Sequence, residues 1–176
     1  MGRKLSKIYT PYNTLLVALI LVMLGLFSTC TAQEIVSSPN LPVKIIDGDS
    51  LEIGNSRIRL IGIDAPEYTQ YCKNAKKQKY NCGIEAKDYL EKLINNSPIT
   101  CKVHKKDQYD RDLCTCYKEK TDINAEMVRS GYALVYLESP YQKEQKEAKQ
   151  NKRGLWQGHF MHPRLFRRLK EQQKLN

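Results

Sequence analysis

The chain contains no Cys-x-x-Cys pair, and its 3 histidines are scattered over 176 residues. That removes the usual spacing of a zinc site, so any metal would have to be held by oxygen. No segment repeats, and compositional bias is confined to the first part of the chain, which excludes solenoids and low-complexity arrays. The apolar run from Leu15 to Phe27 is shorter than the roughly 18–20 residues that span a bilayer. Acid is in deficit: 19 Asp and Glu stand against 29 Lys and Arg, a formal net charge of +10. Such a balance suits a polyanionic partner, either nucleic acid or an anionic membrane surface. With 41% hydrophobic and 27% charged residues the chain is globular, and its length fits one domain of ~100–150 residues plus a leader.

The leader holds part of that charge and no acid. Arg3, Lys4 and Lys7 precede the apolar run, and small residues follow from Ser28 to Ala32. This is the order of a secretory signal, cleaved after Ala32. Cys30 opens a second reading, lipidation, and an uncleaved membrane anchor is a third. Without the three leader cations, 29 − 3 = 26 basic residues remain against 19 acidic ones, so the rest of the chain is still basic. The expected organisation is a leader over 1–32, a polar linker over 33–41, a folded domain over 42–160 and a basic tail over 161–176. Export, to a secreted or periplasmic location, would limit membrane contact to the leader. Nothing in the sequence calls for an obligate protein partner or more than a monomer.

Export also changes how the 6 cysteines read, because disulfides persist outside the cytoplasm. Cys72 and Cys82 close a short polar loop. A hairpin turning at Gln108-Tyr109, with Asp107 facing Asp110, puts Cys101 opposite Cys116 and Val103 opposite Cys114. The expected bridges are Cys72–Cys82 and Cys101–Cys116, with Cys114 left as a small buried thiol.

The patterning predicts strands over 43–47, 50–53 and 57–63, with Gly54-Asn55 as the first hairpin turn. Along the third strand Ile58 and Leu60 alternate with Arg57 and Arg59, so the arginines face away from the apolar pair. A polar loop follows over 68–81. A helix is predicted over 84–95, a second hairpin from 98–104 and 111–117, then a short helix over 124–129 and a charged helix over 141–152. Trp156 is expected to pack back on the core. Five short strands with a helix after the third suit an α+β fold, a five-stranded OB-fold barrel, whose face commonly binds oligonucleotides.

Asp47-Gly48-Asp49-Ser50 and Asp64-Ala65-Pro66-Glu67 bracket the first hairpin, and Arg59 lies on its return strand. Asp49 and Asp64 are candidate ligands for a hard cation such as calcium. Two carboxylates need waters, a backbone carbonyl and a phosphate oxygen to complete a shell. Asp47 reads as the cap of the Gly48 turn. Glu67 can take a proton from an attacking water or orient it. Arg59 and, past the second turn, Arg111 can donate paired hydrogen bonds to phosphate oxygens and stabilise charge on them. Taken alone, each loop reads as ordinary turn chemistry, and Arg111 as a hairpin-end ion pair with Asp107, Asp110 or Asp112. Tyr109 and Tyr136 can stack on bases. The basic residues Lys143, Lys146, Lys149, Lys152, Arg153, Arg164, Arg167 and Arg168 read as a solvated face.

These pieces, followed by Asp107-Gln108-Tyr109-Asp110-Arg111, Met127 to Ala133 and Arg153-Gly154-Leu155-Trp156, resemble the staphylococcal nuclease, or thermonuclease, family from about Val43 to Trp156. The resemblance implies an OB-fold barrel with three helices and calcium-dependent hydrolysis of DNA and RNA to 3′-phosphate ends. It puts the metal aspartates at Asp49 and Asp64, the metal-binding carbonyl at Ala65, the phosphate arginines at Arg59 and Arg111 and the catalytic glutamate at Glu67. Exported relatives often carry cysteines placed like Cys72, Cys82, Cys101 and Cys116. The chain departs from the pattern in three places. Ala65 stands where threonine is common, Asp110 where glycine is usual, and Gln108 where a basic residue is usual. Asp110 and Asp112 also flank Arg111 with charge that can draw it from phosphate. A nucleic-acid-binding module without catalysis is the alternative reading.

Overall fold

The computed structural model describes residues 33–175. The expectations for 1–32 (cleavage after Ala32, lipidation at Cys30, or a retained anchor) lie outside the described residues. In chain order the elements are β1 (Glu34–Val36), β2 (Val43–Ile45), β3 (Ser50–Ile53), β4 (Ser56–Leu60), β5 (Ile63–Asp64), β6 (Tyr71–Lys73) and β7 (Lys79–Asn81). Helix α1 (Cys82–Ile94) follows, then β8 (Thr100–Lys106), β9 (Asp112–Lys118), β10 (Thr121–Asp122) and α2 (Ile123–Arg129). The remainder is β11 (Leu134–Val135), α3 (Gln142–Gln150), a 3-10 turn over Gly154–Gln157 and α4 (Pro163–Leu175). Among the described residues no helix is long and apolar enough to cross a membrane.

The main sheet runs β1-β8-β9-β4-β3-β2, with β10 added on β9. All its pairings are antiparallel except β4 with β9, which joins the two hairpins side by side. The sheet curls as an α+β half-barrel around Leu51, Ile53, Ile58, Leu60 and Ile63, which are all within 2% of complete burial. Helix α1 closes the concave side through Ala86, Leu90 and Ile94, and α2 through Ile123, Met127 and Val128. Burying a side chain of the Leu, Ile or Val class contributes roughly 1.5–3 kcal/mol, so this cluster is the main source of cohesion. Asn81 caps α1 by accepting from the Ile84 amide at 3.0 Å, and Asp122 caps α2 by accepting from Ala125 at 2.9 Å.

Several elements depart from the sequence reading. The linker contributes a strand: Glu34–Val36 pairs with β8 because Ile35 packs on the core and Ser37 bonds Ile99 in both directions. The predicted third strand breaks at Gly62, which has φ +77°, and its end becomes β5, paired with β11. The loop over 68–81 holds a small hairpin, β6–β7, closed by the Cys72–Cys82 disulfide. A fourth helix, α4, forms where a basic tail was expected.

Cys101 and Cys116 are paired opposite each other and bonded, and Cys114 is a buried free thiol. The turn that was used to predict this register is nonetheless different. Asp107 donates its amide to Arg111, so the loop has three residues, and Asp110 takes the left-handed conformation at φ +60°. Glycine suits that conformation best, and aspartate tolerates it better than most side chains. The longer turn shifts the pairing by one residue, to Lys106 opposite Asp112 and Lys105 opposite Leu113. A bulge between Val103 and Lys105 then shifts it back, so the two departures cancel before the cysteines are reached.

Candidate active site

The turn after β2 is held by its own side chains. Asp47 accepts from the Asp49 amide at 3.0 Å, as a turn cap does. Gly48 allows a close approach, since a Cβ there would lie 2.7 Å from both Ala65 and Ala86 Cβ atoms. Asp49 is thereby pressed against the second acidic loop. Its Oδ2 accepts from the Ala65 amide at 2.6 Å and its Oδ1 accepts from the Ser50 hydroxyl at 3.1 Å. Its carbonyl accepts from the Leu60 amide at 2.9 Å, tying the turn to the end of β4.

Arg59 joins the two acidic loops. It sits on β4 opposite Ser50, and one guanidinium nitrogen meets Asp49 Oδ1 while the other donates to Asp64 Oδ1 at 3.0 Å. A further bond goes to the Ile63 carbonyl at 3.2 Å. The Asp49 and Asp64 carboxylates therefore approach one another closely enough to share a single guanidinium. Asp64 is fully buried on β5, held by the pairing with Leu134. Burial lowers the Arg59 pKa against the opposing pull of Asp64 and Asp47, and burial raises that of Asp47 against the pull of Arg59.

Glu67 stands on the loop beyond Pro66, which is fixed from below. Gln70 is completely buried; its side-chain oxygen accepts from the Glu67 amide at 3.3 Å, and its amide nitrogen donates to the Met161 carbonyl at 2.7 Å. The first turn of α1 abuts the same loop. A Cβ at Gly83 would collide with the Glu67 carbonyl oxygen.

Asp47, Asp49, Arg59, Glu67, Tyr109, Arg111 and Tyr136 all line one cleft of about 1100 Å³. Asp64 and Ala65 lie buried behind it. Arg111 is held by Asp107, to which its Nε and Nη2 each donate at 2.8 Å. The flanking acids expected to draw it away are occupied elsewhere, because Lys106 bonds Asp110 at 2.7 Å and lies 3.9 Å from Asp112. Tyr109 is 62% exposed, and its ring lies 5.6 Å from the Arg111 guanidinium.

Residues 57–158 match the family described as staphylococcal nuclease homologue. The chain belongs to that family. It is also similar to individual proteins of known name. One is the succinoglycan biosynthesis protein ExoI of Rhizobium meliloti (strain 1021), 32% identical over 67% of this chain and 64% of that protein. Another is an uncharacterized endonuclease of Escherichia coli O157:H7, 37% identical over 65% of this chain and 74% of that protein. A third is the endonuclease YhcR of Bacillus subtilis (strain 168), 33% identical over 64% of this chain and 11% of that much longer protein.

Two features of this staphylococcal nuclease homologue were missed in the sequence. Gln70 carries no pattern that marks it as the support of Glu67. Arg167, read as one cation of a solvated face, reaches into the site from α4. Its Nη1 donates to Asp64 Oδ1 at 2.9 Å and Glu67 at 2.7 Å, and its Nη2 donates to Asp64 Oδ2 at 3.2 Å. Partial burial works to lower the Arg167 pKa, but the bonds to Asp64 and Glu67 together outweigh it and hold the group above its ordinary value. A weak signal was present: Phe166, Arg167 and Lys170 fall on one side of a helix, apart from Leu165 and Leu169.

Proposed function

We propose that the chain is an exported, calcium-dependent nuclease that hydrolyses phosphodiester bonds of DNA, RNA or both, leaving 3′-phosphate ends. One observation carries this reading: two carboxylates converge on a single guanidinium at the floor of a cleft that Glu67 and Arg111 also line. Family membership and the relatives named as endonucleases support it, and two disulfides support a location outside the cytoplasm.

The donor set fits a hard cation. Among the described residues no group of three or more His, Cys, Asp or Glu side chains forms a ready cage. The residues that would hold the cation are oxygen donors alone, Asp49, Asp64 and the Ala65 carbonyl, with water and a phosphate oxygen completing the shell. Bound there, calcium would polarise the phosphoryl group and offset its charge. Glu67, stiffened by Pro66 and propped by Gln70, accepts the proton of the attacking water. Arg59 lies at the cation seat and donates to a phosphate oxygen. Arg111 holds a second oxygen and opposes the charge that grows in the pentacoordinate state, its aim fixed by Asp107. Tyr109, exposed beside Arg111, offers a face for a base.

Cleavage of plasmid DNA and of a defined RNA by the full chain, with calcium or with a chelator, tests the reading. Calcium-dependent nicking, with ends extendable by a polymerase only after phosphatase treatment, is the expected result. Glu67→Gln should lower the rate by about 10²–10⁴ while leaving the thermal midpoint in place. Retained DNA binding with no cleavage under any divalent cation would overturn the nuclease and leave a binding module.

A further inference from the structure

The contact made by Arg167 is not explained by a role in holding substrate. It takes both oxygens of Asp64 and one of Glu67, the two groups that cation binding and proton transfer need. Counted by charge, Asp49, Asp64 and Glu67 against Arg59 leave −2, the complement of a divalent cation. Adding Arg167 leaves −1 and puts a positive group against the very oxygens a cation would bind.

The helix that carries Arg167 is held in a way that suits release. Among the described side chains of α4 only Pro163 is buried, while Phe166 and Arg167 are half-buried. Leu165 and Leu169 remain 44% and 40% exposed, so the apolar grip on the domain is slight. The other ties are polar. Lys170 donates to the Thr69 hydroxyl at 2.8 Å, and Gln70 donates to the Met161 carbonyl just ahead of the helix. Helix α2, by contrast, buries five of its seven residues. Contacts that are mainly ionic and partly exposed contribute little net stability and weaken with salt.

We propose that α4 is an intramolecular inhibitor: Arg167 takes the Asp64 and Glu67 oxygens at the edge of the cation seat, and the helix must move off before they become available. The inference rests on the reading of Asp49 and Asp64 as cation ligands, and it adds that the free protein competes with its own cation. Asp64 already accepts from both Arg59 and Arg167, so both of its oxygens are engaged, and a divalent cation brought to them would meet the Arg167 charge a few ångströms away in a partly dry site. Cation loading and α4 docking therefore exclude one another.

Calcium affinity of the full chain by isothermal titration calorimetry tests this without reference to cleavage. Arg167→Ala should bind calcium at least about ten-fold more tightly than the unaltered protein. Lys170→Ala, which loosens α4 without entering the site, should shift affinity the same way by a smaller factor. In the unaltered protein, saturating calcium should speed hydrogen–deuterium exchange of the 163–175 amides, a readout independent of how either variant folds. Calcium binding with equal or lower affinity in Arg167→Ala, or α4 exchange untouched by calcium, overturns the inhibitor and leaves the cation site standing. No calcium binding by any of the three proteins overturns both.

Discussion

Asn124 offers a direct test of what holds the floor of the site. It is completely buried at the start of α2. Its side-chain nitrogen donates to the Ile61 and Cys114 carbonyls, both at 3.0 Å, and its oxygen accepts from the Cys116 amide at 3.1 Å. One side chain thus ties the residue just past β4 and the interior of β9 to a helix, with Ile61 two residues before Ile63 and three before the buried Asp64. Asn124→Ala leaves the Ile61 carbonyl and the Cys116 amide without this partner, whereas the Cys114 carbonyl keeps its bond from the Ile61 amide at 2.9 Å. Each buried, unsatisfied group costs about 1–3 kcal/mol, so a loss of about 2–5 kcal/mol is expected in urea unfolding, with an unchanged m-value. Asn124→Asp sharpens the test. At neutral pH the carboxylate can still accept from Cys116 but faces two carbonyls it cannot satisfy, so it should be worse than alanine. Burial would raise its folded pKa above the unfolded value of about 3.9. The protonated folded form is then favoured, so the deficit should shrink as pH falls from the folded pKa towards the unfolded one. A loss under about 1 kcal/mol for Asn124→Ala, or an aspartate variant no worse than alanine at pH 7, would refute the reasoning.

Two further expectations follow from packing and burial. Gly83→Ala drives a Cβ into the Glu67 carbonyl, so the backbone of the loop must shift; nuclease rate should fall by about 10-fold or more and stability by about 1–3 kcal/mol, and equal rates would show that Glu67 does not need this placement. Burial pushes the Cys114 thiol up to about 12 from its ordinary value of 9.0. At pH 8 native protein should resist iodoacetamide at that position until unfolded. The folded state keeps its proton where the unfolded state loses it, so this group's stabilising contribution declines as pH rises from 9 towards 12.

Much of the fold was legible because it follows from local chemistry. Alternation marked Ile58 and Leu60 as core and Arg59 as outward, Gly54 marked the hairpin turn, and helical spacing marked the helix that buries Ala86, Leu90 and Ile94. The positions now found around the cleft were legible for the same reason, as two acidic loops at the ends of one hairpin cannot lie far apart. The rest depends on partners that sequence distance hides. Gln70 reads as one more polar residue of a loop, and Asn124 as the polar start of a short helix, until a distant backbone closes over them. Arg167 sits among other cations, and only the placement of α4 separates it from Arg164 and Arg168, which remain exposed. The disulfide register was read correctly through a turn that was not, because the extra turn residue and the bulge offset each other.

The pairing of β5 with β11 sets a limit on when the cleft can exist. Asp64 is fixed by Leu134, and β4 is completed only by β9, so a chain still emerging from the ribosome lacks its floor until most of it has been made. A polypeptide threaded across a membrane in extended form would likewise carry its acids and arginines apart. On the proposed reading of an exported nuclease, such a chain would hold no assembled site until it reaches a place where it can fold.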